Sequence, residues 1–103
     1  MTDNYAITVT NKRNNPVGEY VGRPSVLGNP FTIGRHGTRD EVVAQYREWL
    51  WARMTYGTPQ QQELDRLAEK LIHDKSLTLV CWCAPKTCHA DVIANAIHWR
   101  NQP

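Results

Sequence analysis

The pattern of apolar and polar positions predicts a chain in which strands and helices are mixed. Residues 5–10 and 19–21 are predicted strands, because β-branched and aromatic residues dominate both. Residues 77–82 form a near-continuous apolar run, which is typical of an interior strand covered on both faces. Apolar residues at helical spacing predict helices over about residues 39–55, from Pro59 onward, and from about Cys88 to Arg100. Ile72 is expected in the buried stripe of the second helix, and Trp82 in the core.

The order of these elements predicts a small α/β domain. Thr38 and Glu41 match a capping box at the start of the first helix, and Pro59 suits the first position of the second. We expect a partly parallel sheet of three or slightly more strands with about three helices. A length of 103 residues leaves room for one domain, so residues 1–103 are assigned to it. In a parallel sheet, ligands bind beyond the carboxyl ends of the strands, where residues 81–89 would lie.

Composition narrows the class of protein. The hydrophobic fraction of 41% and the four tryptophans exclude a disordered chain, and no apolar run is long enough to span a membrane. The polar residues Met1–Asn4 do not resemble a secretory signal, and three cysteines argue against a secreted disulfide framework. We therefore expect a cytoplasmic protein. A net charge of +2 is too small to indicate nucleic-acid binding by bulk electrostatics alone.

The turn before the last helix carries the first candidate chemistry. Cys81, Cys83, Cys88 and His89 offer three thiolates and an imidazole, which suit zinc or an iron–sulfur centre. Two features count against a metal. Adjacent residues of a helix point about 100° apart, so Cys88 and His89 do not easily share one ion. The usual C-x₂-C knuckle is also absent.

The same turn has an anionic or catalytic interpretation. A helix N-terminus presents unpaired N–H groups and a positive dipole end, which bind phosphate or carboxylate and lower the pKa of a thiol. Cys88 is then a candidate nucleophile, and His89 a candidate acid or base. Asp91 would orient a histidine or simply cap the helix. A purely structural role of the cysteines is the third alternative.

The loop from Gly22 to Phe31 carries the second group of candidates. Gly22 and Gly28 allow backbone conformations closed to other residues, and we expect Asn29 to be extended because Pro30 follows it. Arginine and serine side chains suit phosphate, and positive charge is concentrated in the first 39 residues. The glycine spacing matches neither a P-loop nor a dinucleotide fingerprint. The candidate ligand-binding residues are Arg23, Ser25, Asn29, Arg13 and Arg35.

These two segments together resemble a known family. Tyr20-Val21-Gly22-Arg23-Pro24-Ser25, Gly28-Asn29-Pro30-Phe31, Cys81-Trp82-Cys83-Ala84-Pro85 and Cys88-His89-Ala90-Asp91-Val92-Ile93 look like the domain-of-unknown-function 4326 family. The resemblance covers nearly the whole chain and implies a small protein of bacteria or their phages, without implying an activity. The Cys88-His89 turn is also similar, more weakly, to that of the domain-of-unknown-function 488 family, which lacks the C-x-C pair.

The leading hypothesis is a cytoplasmic domain that binds an anionic ligand between the Gly22–Phe31 loop and the Cys81–His89 turn. The ligand would be a nucleotide, a nucleoside derivative or a nucleic-acid end, and Cys88 with His89 would perform any reaction. One alternative is a zinc-stabilised binding module without catalysis. Another is a phage protein that binds a host macromolecule, in the host cytoplasm, through an exposed Trp49 or Trp51.

Overall fold

The most apolar strand lies at the centre of a parallel sheet. A computed structural model describes residues 5–14, 17–55, 57–82, 86 and 88–101. The strands within these residues are β1 (Ala6–Asn11), β2 (Glu19–Tyr20) and β3 (Ser76–Cys81), in the order β1–β3–β2. Both neighbours of β3 run parallel to it, with Ile7 opposite Leu77 and Glu19 opposite Leu79. The α/β fold class is confirmed, and every strand pair in the described residues is parallel.

The helices begin where the sequence predicts. They are α1 (Arg39–Arg53), α2 (Pro59–Asp74) and α3 (His89–Arg100), and a 3₁₀ turn spans Lys12–Asn14. The Thr38 hydroxyl accepts a hydrogen bond from the Glu41 N–H at 3.3 Å, and Glu41 Oε1 accepts one from the Thr38 N–H at 2.9 Å. The α1 helix ends at Arg53, slightly before the predicted end, because Met54 leaves helical geometry and closes the last turn. In the described part of the chain, no helix has the length and apolarity needed to cross a bilayer.

The core lies between one face of the sheet and the helices. Leu77, Leu79 and Cys81 of β3 point toward this side and are buried, and Ile7 of β1 packs against them. On the other face Thr8 is exposed and Thr78 is half-buried. The expectation that β3 is covered on both faces was therefore too strong, since the second face is covered only in part.

Each helix contributes a narrow stripe to the core. The fully buried side chains of the helices include Tyr46, Leu50, Leu64, Leu67, Leu71, Ile93 and Ile97. Ile72 was predicted to be buried, but it is 46% exposed. One helical step rotates a side chain by about 100°, so Ile72 turns away from the stripe to which Leu71 belongs.

Parallel pairing places the carboxyl ends of the three described strands at one edge of the sheet. The last residues of the strands, Asn11, Tyr20 and Cys81, all lie at the carboxyl edge of the sheet. Segments that leave this edge start close together in space although they are far apart in sequence. This edge is where a parallel sheet is expected to bind ligands.

Candidate functional site

A cavity of about 200 Å³ lies at the carboxyl edge of the sheet. One wall comes from the segment after β2 and includes Gly22, Arg23, Asn29 and Phe31. The first turns of α1 add Arg39, Val42 and Val43, and the opposite wall consists of Trp82, Cys88 and His89. The two segments singled out in the sequence therefore border one cavity.

The segment of residues 21–37, here named the cavity loop, is held by hydrogen bonds rather than by a helix or strand. The Val21 N–H donates to the Val80 carbonyl at 3.0 Å, which continues the pairing of β2 by one residue. The buried Tyr46 hydroxyl donates to the Leu27 carbonyl at 2.6 Å. Leu27 is itself buried and anchors the loop on the core.

Gly22 and Gly28 serve this loop through their lack of a side chain. Neither glycine has a positive φ, so neither uses the conformations that glycine alone allows. A Cβ at Gly22 would lie 2.5 Å from the Tyr20 hydroxyl oxygen, and one at Gly28 would lie 3.0 Å from the Arg23 Cα. Close packing against Tyr20 at Gly22 and against Arg23 at Gly28, rather than a positive φ, favours glycine at both positions.

Arg23 supplies positive charge to the cavity. Its Nη1 donates to the Thr32 hydroxyl at 3.2 Å, and no carboxylate in the described part of the chain forms an ion pair with it. Arg39 is the second cationic residue of the wall, and the described lining residues include no aspartate or glutamate. The described lining residues therefore carry a net positive charge.

Asn29 shapes the loop as well as lining the cavity. Its Oδ1 accepts a hydrogen bond from the Phe31 N–H at 2.8 Å, and its Nδ2 lies 3.5 Å from the Val42 carbonyl. The first contact is the side-chain-to-backbone turn that asparagine commonly forms. Asn29 thus ties the cavity loop to α1.

His89 joins the two walls. Its Nε2 lies 2.7 Å from the Val21 carbonyl oxygen, which can only accept, so Nε2 carries the proton. The pKa of His89 lies below its ordinary value of 6.5, and burial is the main cause. The positive charge of Arg23 also lowers this pKa, whereas the hydrogen bond to Val21 partly opposes the decrease. The ring is accordingly neutral at pH 7 and Nδ1 holds its lone pair. The ring also packs edge-on against Tyr46, with centroids 5.2 Å apart.

Cys88 is the N-cap of α3 and is 2% exposed. Its N–H donates to Asp91 Oδ2 at 3.0 Å, so Asp91 caps the helix, one of the two roles considered for it. The Cys88 sulfur lies 3.3 Å from the Cys81 sulfur, and Cys81 is fully buried. The zinc alternative also needs Cys83, which lies outside the described residues. Within those residues, no three histidine, cysteine or acidic side chains come together as a metal site.

The three remaining ligand-binding candidates are not among the described residues that line the cavity. Ser25 is not among the described lining residues, and its buried hydroxyl oxygen makes no hydrogen bond to any described residue. Arg13 and Arg35 are exposed and also do not belong to the described lining. Of the five proposed ligand-binding residues, the geometry brings Arg23 and Asn29 together with Cys88 and His89.

Trp82 lines the cavity although the sequence placed it in the core. It is 51% exposed, because it follows the last paired residue of β3 and no strand covers it there. Its Nε1 donates to the Tyr20 hydroxyl at 3.1 Å, and that hydroxyl donates to the Arg23 carbonyl at 2.6 Å. Trp82 and Arg39 are among the lining residues that sequence reasoning did not select as site residues, together with Thr32, Ile33, Val42 and Val43. The position of Trp82 just past a parallel strand was the available signal.

Taken together, the molecule is an α/β domain with a basic, partly aromatic cavity at the carboxyl edge of a parallel sheet. The family model described as "Domain of unknown function (DUF4326)" matches residues 7–99. The chain therefore belongs to the DUF4326 family, and the predicted resemblance is confirmed. No curated protein and no solved structure matches the chain.

Proposed function

We propose that the cavity binds an anionic ligand that also carries a planar ring, namely a nucleotide, a nucleoside derivative or the end of a nucleic acid. One observation carries the proposal: the Arg23 guanidinium lacks a carboxylate partner among the described residues and shares the cavity with the exposed Trp82. A phosphate group accepts charge-assisted hydrogen bonds from arginine, and a base stacks on an indole face.

The size of the cavity favours a single nucleotide unit. Its volume of about 200 Å³ is below the range of about 300–1,000 Å³ that encloses drug-sized ligands. A phosphate and sugar, or a base, would fill it while the rest of the ligand projects into solvent. The proposal therefore favours a mononucleotide or a strand end over a dinucleotide cofactor.

Cys88 and His89 form the chemical pair of the proposed site. The Cys88 thiol borders the cavity and would act as the nucleophile in a covalent reaction. His89 donates its Nε2 proton to the Val21 carbonyl, so proton acceptance falls to Nδ1. Asp91 supports the start of α3 and takes no direct part. We place this function in the cytoplasm, whose reducing conditions keep thiols available.

The experiment measures binding of nucleoside monophosphates, free nucleosides and inorganic phosphate by calorimetry and thermal shift. Wild-type protein should bind at least one monophosphate more tightly than phosphate, because the ring adds stacking at Trp82. Arg23→Gln should weaken that binding about 10- to 100-fold, as expected for loss of a charged hydrogen bond.

Arg13→Gln is the matched control. It removes the same charge from an exposed position outside the described lining, so it should leave the affinity nearly unchanged. Equal losses in the two variants would mean that general electrostatic attraction, rather than the cavity, binds the ligand. Failure of every nucleotide and nucleoside to bind the wild-type protein would refute the proposal.

A second candidate function is binding of a host macromolecule through an aromatic surface. Trp51 and Trp99 are 41% and 51% exposed, and their rings pack edge to face with centroids 5.0 Å apart. Exposed tryptophan pairs are typical of interaction surfaces. If this function is correct, a partner recovered from host extract should be lost with Trp99→Ala and kept with Arg23→Gln. Metal analysis of the purified protein tests the zinc alternative separately.

A further inference from the structure

Two cysteine sulfurs meet at the boundary between the core and the cavity. Cys81 ends β3, Cys88 caps α3, and their sulfur atoms are 3.3 Å apart. A disulfide bond is about 2.05 Å long, so the sulfurs need to approach by only about a further 1.2 Å. Cys81 is held by the central strand β3, and Cys88 by the start of α3.

The two buried cysteines differ in their relation to the cavity. Cys81 is fully buried, whereas Cys88 is 2% exposed and borders the cavity. A small oxidant that enters the cavity therefore meets Cys88 rather than Cys81, whose sulfur lies 3.3 Å from that of Cys88. A cysteine that borders a cavity and contacts a second cysteine is suited to form a disulfide after oxidation.

We propose that Cys81 and Cys88 form a reversible disulfide when the protein meets hydrogen peroxide or an organic hydroperoxide. The Cys88 thiolate attacks the peroxide oxygen, the O–O bond breaks, and water or an alcohol leaves after taking up a proton. The Cys81 thiol then attacks the resulting sulfenic sulfur, the S–O bond breaks, and the S–S bond forms as water leaves. Two electrons pass from the two thiols to the peroxide, and a dithiol reductant reverses the change.

The cross-link is independent of the proposed ligand and is detected by mass. Trypsin cleaves after Lys75, Lys86 and Arg100, which places Cys81 and Cys83 on one peptide and Cys88 on the next. The Cys83→Ser variant removes the ambiguity while keeping both buried thiols. After peroxide treatment of this folded variant, we expect peptides 76–86 and 87–100 to be linked in most molecules, and to separate with dithiothreitol.

Cys81→Ala provides the matched control, since it retains Cys83 and Cys88 at an even shorter sequence separation. Its cross-linking should be several-fold slower than that of Cys83→Ser. Equal rates in the two variants would show that sequence proximity, and not the 3.3 Å contact, determines the reaction. Conversion of Cys88 to sulfinic acid in Cys83→Ser without a linked peptide would overturn the proposal.

Discussion

The core beneath α2 and the cavity loop are stabilised in different ways. The α2 helix contacts the rest of the molecule through Leu64, Leu67 and Leu71, all fully buried and apolar. The cavity loop buries Val21 and Leu27. Hydrogen bonds from Tyr46 and His89 to the carbonyl groups of these two residues also hold it in place. Apolar burial is roughly proportional to area and has no direction, whereas each hydrogen bond fixes one atom.

This difference explains how a segment without helix or strand can form a wall of a cavity. The donors that hold the loop include Tyr46 of α1, Gln60 of α2 and His89 of α3, and all three helices are anchored in the core. The loop therefore takes its shape from the helices. Substitutions in the core should act on the stability of the whole fold, and those in the loop contacts should act mainly on the cavity.

Leu71→Ala should have the largest effect on stability. Truncating a fully buried leucine removes apolar burial and leaves a void, which lowers the free energy of unfolding by about 2–5 kcal/mol. Urea unfolding followed by tryptophan fluorescence measures this loss. Ile72→Ala on the same helix is the control and should cost far less, since Ile72 is 46% exposed. Similar losses in both variants would contradict the description of the α2 stripe.

Tyr46→Phe should have a smaller effect, concentrated in the loop. Without the hydroxyl, the Leu27 carbonyl loses its donor, and an unsatisfied buried polar group costs about 1–3 kcal/mol. Hydrogen exchange should rise in residues 22–32 more than in β3. A uniform rise across both segments would argue that Tyr46 stabilises only the core.

The charge state of His89 should make stability depend on pH. Burial depresses its folded-state pKa below 6.5, so between the folded and unfolded pKa values the unfolded chain binds the proton more readily. Stability should therefore fall as pH drops below about 6.5, by at most about 1.4 kcal/mol per pH unit. His89→Gln keeps a donor for the Val21 carbonyl without titrating. Urea unfolding at pH 7.5 and 5.5 should show the larger decrease in the wild-type protein, and equal decreases would exclude His89 as the cause.

Arg23→Gln should change stability least. Arg23 is exposed and its one described side-chain hydrogen bond, to Thr32, can be replaced by the glutamine amide. We expect a change within about 0.5 kcal/mol, as for most surface substitutions. Thermal unfolding without ligand tests this expectation. A loss comparable to that of Tyr46→Phe would assign Arg23 a structural role and weaken its use as an anion-binding residue.

Local patterns predicted the elements because each depends on neighbouring residues. The Thr38–Glu41 capping box and the apolar run of β3 act over a few positions, and both were identified from the sequence. The position of the cavity at the carboxyl edge was expected because the sheet was predicted to be partly parallel. These inferences needed no knowledge of which distant residues touch.

The unpredicted features depend on contacts between distant segments. Trp82 follows the buried residues Val80 and Cys81, yet it is 51% exposed because the paired part of β3 ends at Cys81. Arg39 reaches the cavity only because α1 starts beside the cavity loop. The Tyr20 side chain occupies the place where a Cβ of residue 22 would stand. Sequence rules for turns do not take such a contact into account. The two segments that border the cavity were therefore predictable, but the individual contacts of their residues were not.

The glycines of the cavity loop have a consequence for chemical synthesis of the protein. Gly34 has a φ of 92°, whereas the φ of Gly22 is not positive. A mirror-image alanine relaxes into positive φ, so placing D-alanine at position 34 should rigidify the unfolded chain and raise the melting temperature. D-alanine at position 22 should not raise the melting temperature in this way, because φ is not positive there. The two D-alanine variants therefore distinguish a glycine whose φ is positive from a glycine that is favoured only by close packing.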